Sequence, residues 1–263
     1  MQAIWRGAIS FGVIIIPVRL YGATEEKSLR FNMLHASDGG RVRFNRTCAE
    51  CGKDNLTKDD LVRAFEYEKG SYVTFDETEL DAVQVPTSNT VEILQFVPGE
   101  QIDPIYYNRS YYLAPEGLGT KAYGLLRDAL VESGKVAVAK VAIRDKERLA
   151  TLRVRENAIV LETMYWPDEI REAAFPELSA SPDVNPRELQ MAQTLIDTLT
   201  EDFDPSQHSD SYREALLAAV EQKVQGREVV APAASPEQAP VADLMEALER
   251  SLEEVRERRS KAQ

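Results

Sequence analysis

Apolar and polar positions divide the chain into a strand-rich part, up to about residue 165, and a helical part after it. Apolar side chains recur at every second position from Ile9 to Ile15 and Pro17 follows, which predicts one buried strand. Three further runs are rich in β-branched and aromatic residues and are bounded by prolines. They predict strands at residues 73–75, 90–97 and 106–113.

A helix and then a three-stranded meander follow in the pattern. Thr120 is a favourable N-cap residue, apolar residues after it keep helical spacing, and Gly134 suits the position just past a helix end. Three strand-like runs come next, at residues 136–143, 148–155 and 158–165. Because only short connections join these runs, they are predicted to pair antiparallel.

The last third of the chain predicts helices. Capping motifs begin at Asn185 and at Ser211. The first helix would bury Leu189, Ala192, Ile196 and Leu199.

A linker and a final helix end the sequence. Residues 230–240 consist mainly of Ala, Pro, Ser, Glu and Gln, a composition typical of a semi-extended linker. The apolar stripe of the helix after it is Val241, Leu244, Met245, Leu248, Leu252 and Val255. This helix either folds back on the core or is presented to a groove on a partner, and the linker favours presentation to a partner.

Composition describes a globular protein. The chain has 263 residues, of which 43% are hydrophobic and 29% charged, so disorder as a whole is excluded. Two cysteines cannot supply a disulfide framework, and we expect reduced thiols in the cytoplasm. No run reaches the roughly 18 apolar residues of a membrane span, so no membrane partner is expected.

The net charge of −13 argues against a polyanionic partner, but the charge is segregated along the chain. Residues 1–63 carry a net charge of +3 and residues 121–160 carry +4. Residues 64–120 carry −8 and residues 161–230 carry −10. A field organised in this way can attract a polyanion to one surface.

Few residues have the chemistry of catalysis or of metal binding. The chain has two histidines, and it lacks a glycine-rich phosphate loop, a G-x-S-x-G elbow and an H-E-x-x-H motif, so we predict no enzyme activity. The pair Cys48-x-x-Cys51 supplies two of the four ligands of a zinc site. His35 with a carboxylate, or a second copy of the chain, would complete such a site. The alternative is a tight turn with buried thiols.

Two basic segments have the character of a phosphate-binding surface. Strand geometry over residues 41–46 would put Arg41 and Arg43 on one face and apolar side chains on the other. The second segment contains Lys140, Arg144, Lys146, Arg148, Arg153 and Arg155. Such faces suit backbone phosphates, and without a recognition helix binding would be indifferent to base sequence. Taken alone, solvated strand faces explain the same pattern.

Several motifs stand in a characteristic order along the chain. They are IWRGAISFG at residues 4–12, IPVRLY at 16–21, FNMLH at 31–35, FEY at 65–67, YYLAP at 111–115 and DEIR at 168–171. This series resembles the bacterial Ku proteins of non-homologous end joining, and the likeness covers essentially the whole chain. The DLMEAL segment at residues 243–248 resembles the part of that family that contacts DNA ligase D.

The resemblance implies a mixed, β-rich fold: a Ku-type β-barrel core with a protruding arm, and a helical C-terminal region. The core, with its arm and the C-terminal helices, would occupy residues 1–229, the linker residues 230–240 and a ligase-contacting helix residues 241–263. Two copies would form a ring threaded by duplex DNA. That homodimer would bind double-stranded DNA ends regardless of sequence, bridge breaks in nucleoid DNA and recruit DNA ligase D.

The alternation of side chains along the strands, together with their charge, then predicts which basic residues face the DNA channel of the ring. They are Arg41, Arg43, Arg46, Arg144, Lys146, Arg148 and Arg153. The ligase contact would use Leu244, Met245, Leu248 and Leu252. The function requires no cofactor, and Cys48 and Cys51 are the candidate zinc ligands. Two other hypotheses stay open: a Ku-like barrel that serves as a protein-interaction module without binding DNA, and a lysine-based lyase acting at abasic ends.

Overall fold

A computed structural model describes residues 1–83, 89–143, 146–179, 184–228 and 244–262. The chain forms two compact units, Met1–Glu172 and Ala173–Gln263. The predicted linker at residues 230–240 and Arg144 both lie outside the described residues.

Seven strands of the first unit close into a β-barrel, as the resemblance implied. Its strands are β1 (Trp5–Phe11), β2 (Ile14–Gly22), β5 (Thr90–Pro98), β6 (Tyr107–Pro115), β7 (Lys135–Ile143), β8 (Lys146–Arg155) and β9 (Ala158–Met164). Their order around the barrel is β1-β2-β6-β9-β8-β7-β5. The last three strands form the predicted antiparallel meander, and a parallel pairing of β1 with β5 closes the circle.

The first two strands correct one sequence prediction. The chain does not run as one strand through Ile15; it reverses at Gly12 and Val13, and β1 pairs antiparallel with β2. Gly12 has a φ of +59°, which glycine adopts without strain and which a tight hairpin turn requires. Val13, at the tip of the turn, is 99% exposed, and Ile16 is the buried residue that pairs with Ile9.

Apolar side chains from all seven strands fill the barrel. The fully buried ones include Ile9, Ile16, Val18, Leu20, Val91, Leu113, Leu152, Ile159 and Leu161. Small residues at Ala137, Ala139 and Ala150 lie among these larger ones, which fits the limited space inside a small barrel. The helix α2 (Thr120–Ser133) adds Tyr123, Leu126 and Leu130 to the same core.

Tyr123 fixes α2 to the barrel wall. Its hydroxyl donates a hydrogen bond to the carbonyl of Leu113 in β6 at 2.6 Å and accepts one from the N–H of Ile159 in β9 at 2.7 Å. Leu113 and Ile159 face each other across the β6–β9 ladder. Burial raises the pKa of the Tyr123 phenol, so the hydroxyl stays protonated and able to donate at neutral pH.

Removing this hydroxyl should destabilise the barrel. Tyr123→Phe leaves a buried N–H and a buried carbonyl short of a partner, so we expect the free energy of unfolding to fall by about 1–3 kcal/mol in urea denaturation. Tyr72→Phe, at an exposed tyrosine, is the matched control and should change the free energy of unfolding by less than about 0.5 kcal/mol. Equal effects of the two substitutions would show that the Tyr123 bridge contributes nothing.

A long insert, defined here as residues 23–83, separates β2 from the described start of β5. It holds a hairpin of β3 (Arg63–Glu68) and β4 (Ser71–Phe75), and the helix α1 (Glu77–Val83). The predicted strand over residues 41–46 is wrong, because the segment pairs with a neighbour only through an isolated bridge between Leu34 and Arg41. Its apolar residues are exposed, with Phe44 79% exposed, so no packed face lies behind the arginines.

The second unit contains α3 (Pro186–Leu199), α4 (Ser211–Val224) and α5 (Leu244–Ala262). Asn185 caps α3 as predicted, and Asp210 caps α4, one residue before the predicted Ser211. None of the described helices is long and apolar enough to cross a membrane.

The packing of α3 differs from the sequence prediction. The side chains predicted to face a core are largely in solvent, and Ile196 is 64% exposed. Met191 and Leu195 are half-buried instead, and α3 packs against α5. In α5 the described part of the predicted apolar stripe is the covered face, since Leu252 is 5% exposed. Val241 and the side chain of Leu244 lie outside the described residues.

Candidate functional site

A cleft with three basic side chains lies at one end of the barrel. The cleft has a volume of about 860 Å³, and we name it the basic cleft after Arg109, Lys146 and Arg148 in its lining. Tyr111 and Thr163 also line it, whereas the Tyr123 bridge lies further along the same strands, at Leu113 and Ile159. The basic cleft therefore lies at the end of the barrel away from that bridge.

Strand alternation explains how charges come to lie at this mouth. Ala150 and Leu152 of β8 face the barrel interior, and the β8 ladders with both neighbours run without a register shift. Arg148 and Lys146 therefore have the same inward parity as these residues, and they lie opposite the core residues Val141 and Ile143 of β7, at the end of the ladder. Arg109 faces Thr163 in the ladder of β6 with β9. Thr163 in turn faces Ala150 of β8, so the backbones of Arg109 and Arg148 are two strands and two residues apart, or about 12 Å.

The cations of the basic cleft are free to bind an anion. None of the three forms an ion pair with a carboxylate of the described residues. The acids that line the basic cleft and the smaller depression beside it have other partners. Glu26 bonds Ser28 and pairs with Arg30, Glu147 pairs with Lys140, and Glu169 accepts from the N–H of Trp166.

Polar groups in the lining complement these charges. Thr24 and Asn108 add side-chain groups that can donate hydrogen bonds, whereas the hydroxyls of Ser110 and Thr163 already donate to Glu162 and to the carbonyl of Arg109. Cations together with neutral donors in an open cleft suit phosphate oxygens, because such contacts need positive charge and hydrogen-bond donors but no base-reading group.

Arg153 lies on the other face of β8. Its guanidinium donates two hydrogen bonds of 2.7 Å to the Glu162 carboxylate, which also accepts one from Ser110. Burial pushes the pKa of Glu162 upward, but the hydrogen bonds and the charge of Arg153 outweigh it, and the pKa lies below its ordinary 4.5. The charge of Arg153 is thus compensated within the barrel wall.

This pair should stabilise the protein in a pH-dependent way. Arg153→Ala leaves a buried carboxylate unpaired, and we expect about 2 kcal/mol less stability at pH 7 by urea unfolding, since Arg153 is partly in water. Because the folded pKa of Glu162 is lowered, the stabilisation is complete above pH 4.5 and disappears as the pH falls through the folded value. The deficit of the variant should therefore shrink on acidification, and a deficit of equal size at pH 3 would contradict this assignment.

The structure brings together only part of the predicted basic set. Lys146 and Arg148 share the basic cleft, Arg153 lies on the opposite face of β8, and Arg144 is outside the described residues. The other three, Arg41, Arg43 and Arg46, lie in the irregular part of the insert and are exposed.

Arg109 was not predicted from the sequence. It lies in an acidic block with only two basic residues, so the charge segregation pointed away from it. No local signal in the sequence distinguishes it, because its basic neighbours in the cleft belong to β8, which is two strands away from β6.

The predicted zinc ligands Cys48 and Cys51 are free thiols in a tight turn of the insert. Cys48 is half-buried and Cys51 is exposed, so the thiols are not buried as a purely structural turn would have them. Among the described residues, no group of three or more His, Cys, Asp and Glu side chains is arranged to hold a metal ion. His35 is not near enough to complete such a group and instead bonds Asp38 and Ser37.

Three of the four predicted ligase-contacting residues lie on the face of α5 turned toward α3. Met245 and Leu248 are half-buried and Leu252 is buried. The backbone of Leu244 begins α5, and its side chain lies outside the described part of the chain.

Comparison with known proteins identifies relatives along most of the chain. The family model described as the Ku70/Ku80 beta-barrel domain matches residues 10–191. The chain is 48% identical over 252 residues to the non-homologous end joining protein Ku of Frankia casuarinae, which covers 96% of this chain and 63% of that protein. It is 44% identical over 259 residues to the protein of the same name from Bacillus subtilis, covering 97% and 83%. The chain thus spans less than two thirds of the length of the Frankia protein.

Proposed function

The chain belongs to the Ku family, and from this membership we propose that it binds the ends of double-stranded DNA in non-homologous end joining, without reading base sequence. The observation that carries the proposal is the basic cleft at one end of the barrel, where three cations form no ion pair with any of the described residues. Backbone phosphates are the ligands such a cleft suits, and they are the same at every base sequence.

The acidic total charge is compatible with this function. Glu26 and Glu147 beside the basic cleft form ion pairs with Arg30 and Lys140, so these two carboxylates do not cancel the charge of its three cations although the net charge is −13. Binding through phosphates releases condensed counterions, and each phosphate contact contributes about −0.9 to the slope of log K against log salt. Affinity should therefore depend steeply on salt and little on sequence.

We propose that the functional unit is a homodimer in the form of a ring. The insert leaves many large apolar side chains in solvent, among them Phe31, Met33, Phe44, Val62 and Phe65. A monomer rarely exposes so many, and a second copy of the chain is the partner that the family resemblance implies; we propose that the insert is the surface it covers. A closed ring would admit duplex DNA only at an end, which explains end preference without any contact specific to the end itself. Two such rings on two ends would hold a break together.

We further propose that α5 is the contact for DNA ligase D. Its stripe of Met245, Leu248 and Leu252 is amphipathic, but α3 covers Leu252. Met245 and Leu248 are half-buried on the same face. A contact that includes Leu252 requires α5 to separate from α3 first.

Substitutions in α5 should separate ligase stimulation from DNA binding. Met245→Ala/Leu248→Ala, or a chain cut after Glu228, should keep its affinity for linear duplex within about threefold and lose most of its stimulation of DNA ligase D, because the basic cleft lies in the other unit. Both activities are measured side by side, by gel shift and by end-joining assay. The control Arg250→Ala/Glu253→Ala changes exposed positions of the same helix and should stimulate normally. Unchanged stimulation by the cut chain would exclude α5 as the contact.

A second function has one observation in its favour. The exposed apolar insert, together with the net charge of −13, suits a Ku-like barrel that binds proteins and not DNA. We favour the DNA function because of the free cations in the basic cleft. With the DNA-binding function, the protein would act on nucleoid DNA in the cytoplasm and would catalyse no reaction.

Gel shifts with one duplex in two forms test the proposed function. We expect tight binding to the linear form and at least about tenfold weaker binding to the same sequence as a covalently closed circle. Equal binding to both forms would contradict end loading, and binding to neither would support the protein-interaction module.

A further inference from the structure

The face of α5 that packs on α3 follows a regular spacing. Its buried and half-buried positions include Met245, Leu248, Leu252 and Val255, which follow one another at steps of three, four and three residues. This is the spacing by which one helix packs lengthwise on another. We call these four positions the α5 seam.

The helix α3 has a seam with the same steps. Glu188, Met191, Leu195 and Thr198 are half-buried, whereas Ile196, on another part of the same helix, is 64% exposed. We call these four half-buried positions the α3 seam. Because both seams have the same period and the two helices pack against each other, they meet along the seams.

The two seams differ in chemistry. All four positions of the α5 seam are apolar, but the α3 seam is apolar only at Met191 and Leu195, between Glu188 at one end and Thr198 at the other. The Thr198 hydroxyl donates to the carbonyl of Thr194 at 2.7 Å, so it is satisfied within α3. A partner with apolar side chains along the whole seam would bury more of α5 than α3 does.

The contact between the two helices is small. Leu252 is the one buried residue among the described residues of the second unit, and the other seam positions keep part of their surface in water. A contact with so little buried surface opens readily. It still forms in most molecules, because two segments of one chain meet at an effective concentration on the order of millimolar.

We propose that α3 covers the ligase-binding face of α5, so that α3 and DNA ligase D bind this face in mutual exclusion. This inference rests on the proposed contact between α5 and the ligase, since Met245, Leu248 and Leu252 belong both to that contact and to the α5 seam. The ligase surface that displaces α3 is an apolar groove that accepts all four seam positions. The apparent affinity for the ligase then falls in proportion to the fraction of molecules in which α5 is uncovered.

Binding of DNA ligase D to the full chain, measured by biolayer interferometry, tests this cover. Met191→Ala/Leu195→Ala removes the apolar part of the α3 seam, and alanine keeps α3 helical. We expect the ligase to bind this variant at least about fivefold more tightly, which corresponds to an uncovered fraction of about one fifth or less in the wild type. The control Leu189→Ala/Ile196→Ala removes apolar side chains from exposed positions of the same helix and should bind as the wild type does.

A stronger cover should have the opposite effect. Glu188→Leu/Thr198→Leu makes the α3 seam apolar at all four positions, so we expect the ligase to bind this variant at least about threefold more weakly. Hydrogen exchange of the α5 amides should be faster than in the wild type for Met191→Ala/Leu195→Ala and slower for Glu188→Leu/Thr198→Leu. Gel shifts check folding, because every variant should keep its affinity for linear duplex within about threefold.

An unchanged or lower ligase affinity of Met191→Ala/Leu195→Ala would overturn the cover, and so would an equal gain in the control variant. The chain cut after Glu228 distinguishes this failure from failure of the proposed ligase contact. If the cut chain loses ligase binding while the alanine variant gains none, only the cover fails. If the cut chain binds the ligase as the wild type does, the contact fails and the cover with it.

Discussion

Replacing Arg109, Lys146 and Arg148 together by alanine is expected to weaken binding to linear duplex DNA by at least about 100-fold at 0.15 M salt. The three side chains line one cleft and form no ion pair among the described residues, so their charges are available to phosphates. A dimer would lose two clefts. If each lost cation had neutralised one phosphate, the slope of log K against log salt would become shallower by about 5.

The control variant also removes three positive charges, but at the other end of the barrel. Lys121, Lys135 and Arg155 are exposed, and each lies on or close to the side that α2 covers. Their triple alanine variant should bind within about fivefold of the wild type and keep its salt slope. If the two triple variants behaved alike, the overall charge and not the basic cleft would determine binding.

Substituting Phe44 and Phe65 by serine is expected to weaken self-association by at least about 1000-fold, measured by sedimentation equilibrium. These side chains are 79% and 62% exposed in one chain, and a dimer through the insert would bury four of them at about 1.5–3 kcal/mol each before costs are subtracted. The resulting monomer should also lose its retention on DNA, because an open chain cannot encircle the duplex.

A control variant removes a similar amount of exposed apolar surface outside the insert. Leu118 and Leu125 are also exposed, and Leu118→Ser/Leu125→Ser should leave the dimer intact. Dissociation of this variant, or an intact dimer in the phenylalanine variant, would place the dimer interface outside the insert.

Elements with local signals were predicted well. The meander of β7, β8 and β9 follows from three runs joined by short connections, and α2 follows from its spacing and from Gly134, which has a φ of +62°. The closure of the barrel could not be derived in this way. The parallel partner of β1 is β5, about eighty residues later, and no local pattern specifies a partner at that distance.

The errors share a physical cause. Alternation of apolar and polar side chains indicates a buried and an exposed face only where the strand is paired in a sheet. Residues 41–46 alternate between arginine and apolar residues, yet the segment lies in solvent without a sheet. In the opening hairpin, alternation continued through Gly12 although the backbone reversed there. In both segments the backbone conformation depends on which strands pair, and this pairing is set only when the chain folds.

The candidate site shows the same limit. Arg148 and Arg153 were grouped by charge, but an uninterrupted ladder puts an even and an odd position on opposite faces of β8. Arg153 then pairs with Glu162, and Arg148 lies in the basic cleft with Arg109. Charge in the sequence therefore pointed to β8, and the barrel separates Arg153, which is paired, from Arg148, which forms no ion pair among the described residues.

Trapping on DNA with blocked ends distinguishes a threaded ring from an open clamp. Protein is loaded on a linear duplex that carries biotin at both ends, streptavidin is added, and the salt is raised to 1 M to abolish phosphate contacts. A threaded ring predicts that the protein stays on the blocked duplex and leaves the same duplex without streptavidin. Release from both at the same rate would show that the DNA is not encircled.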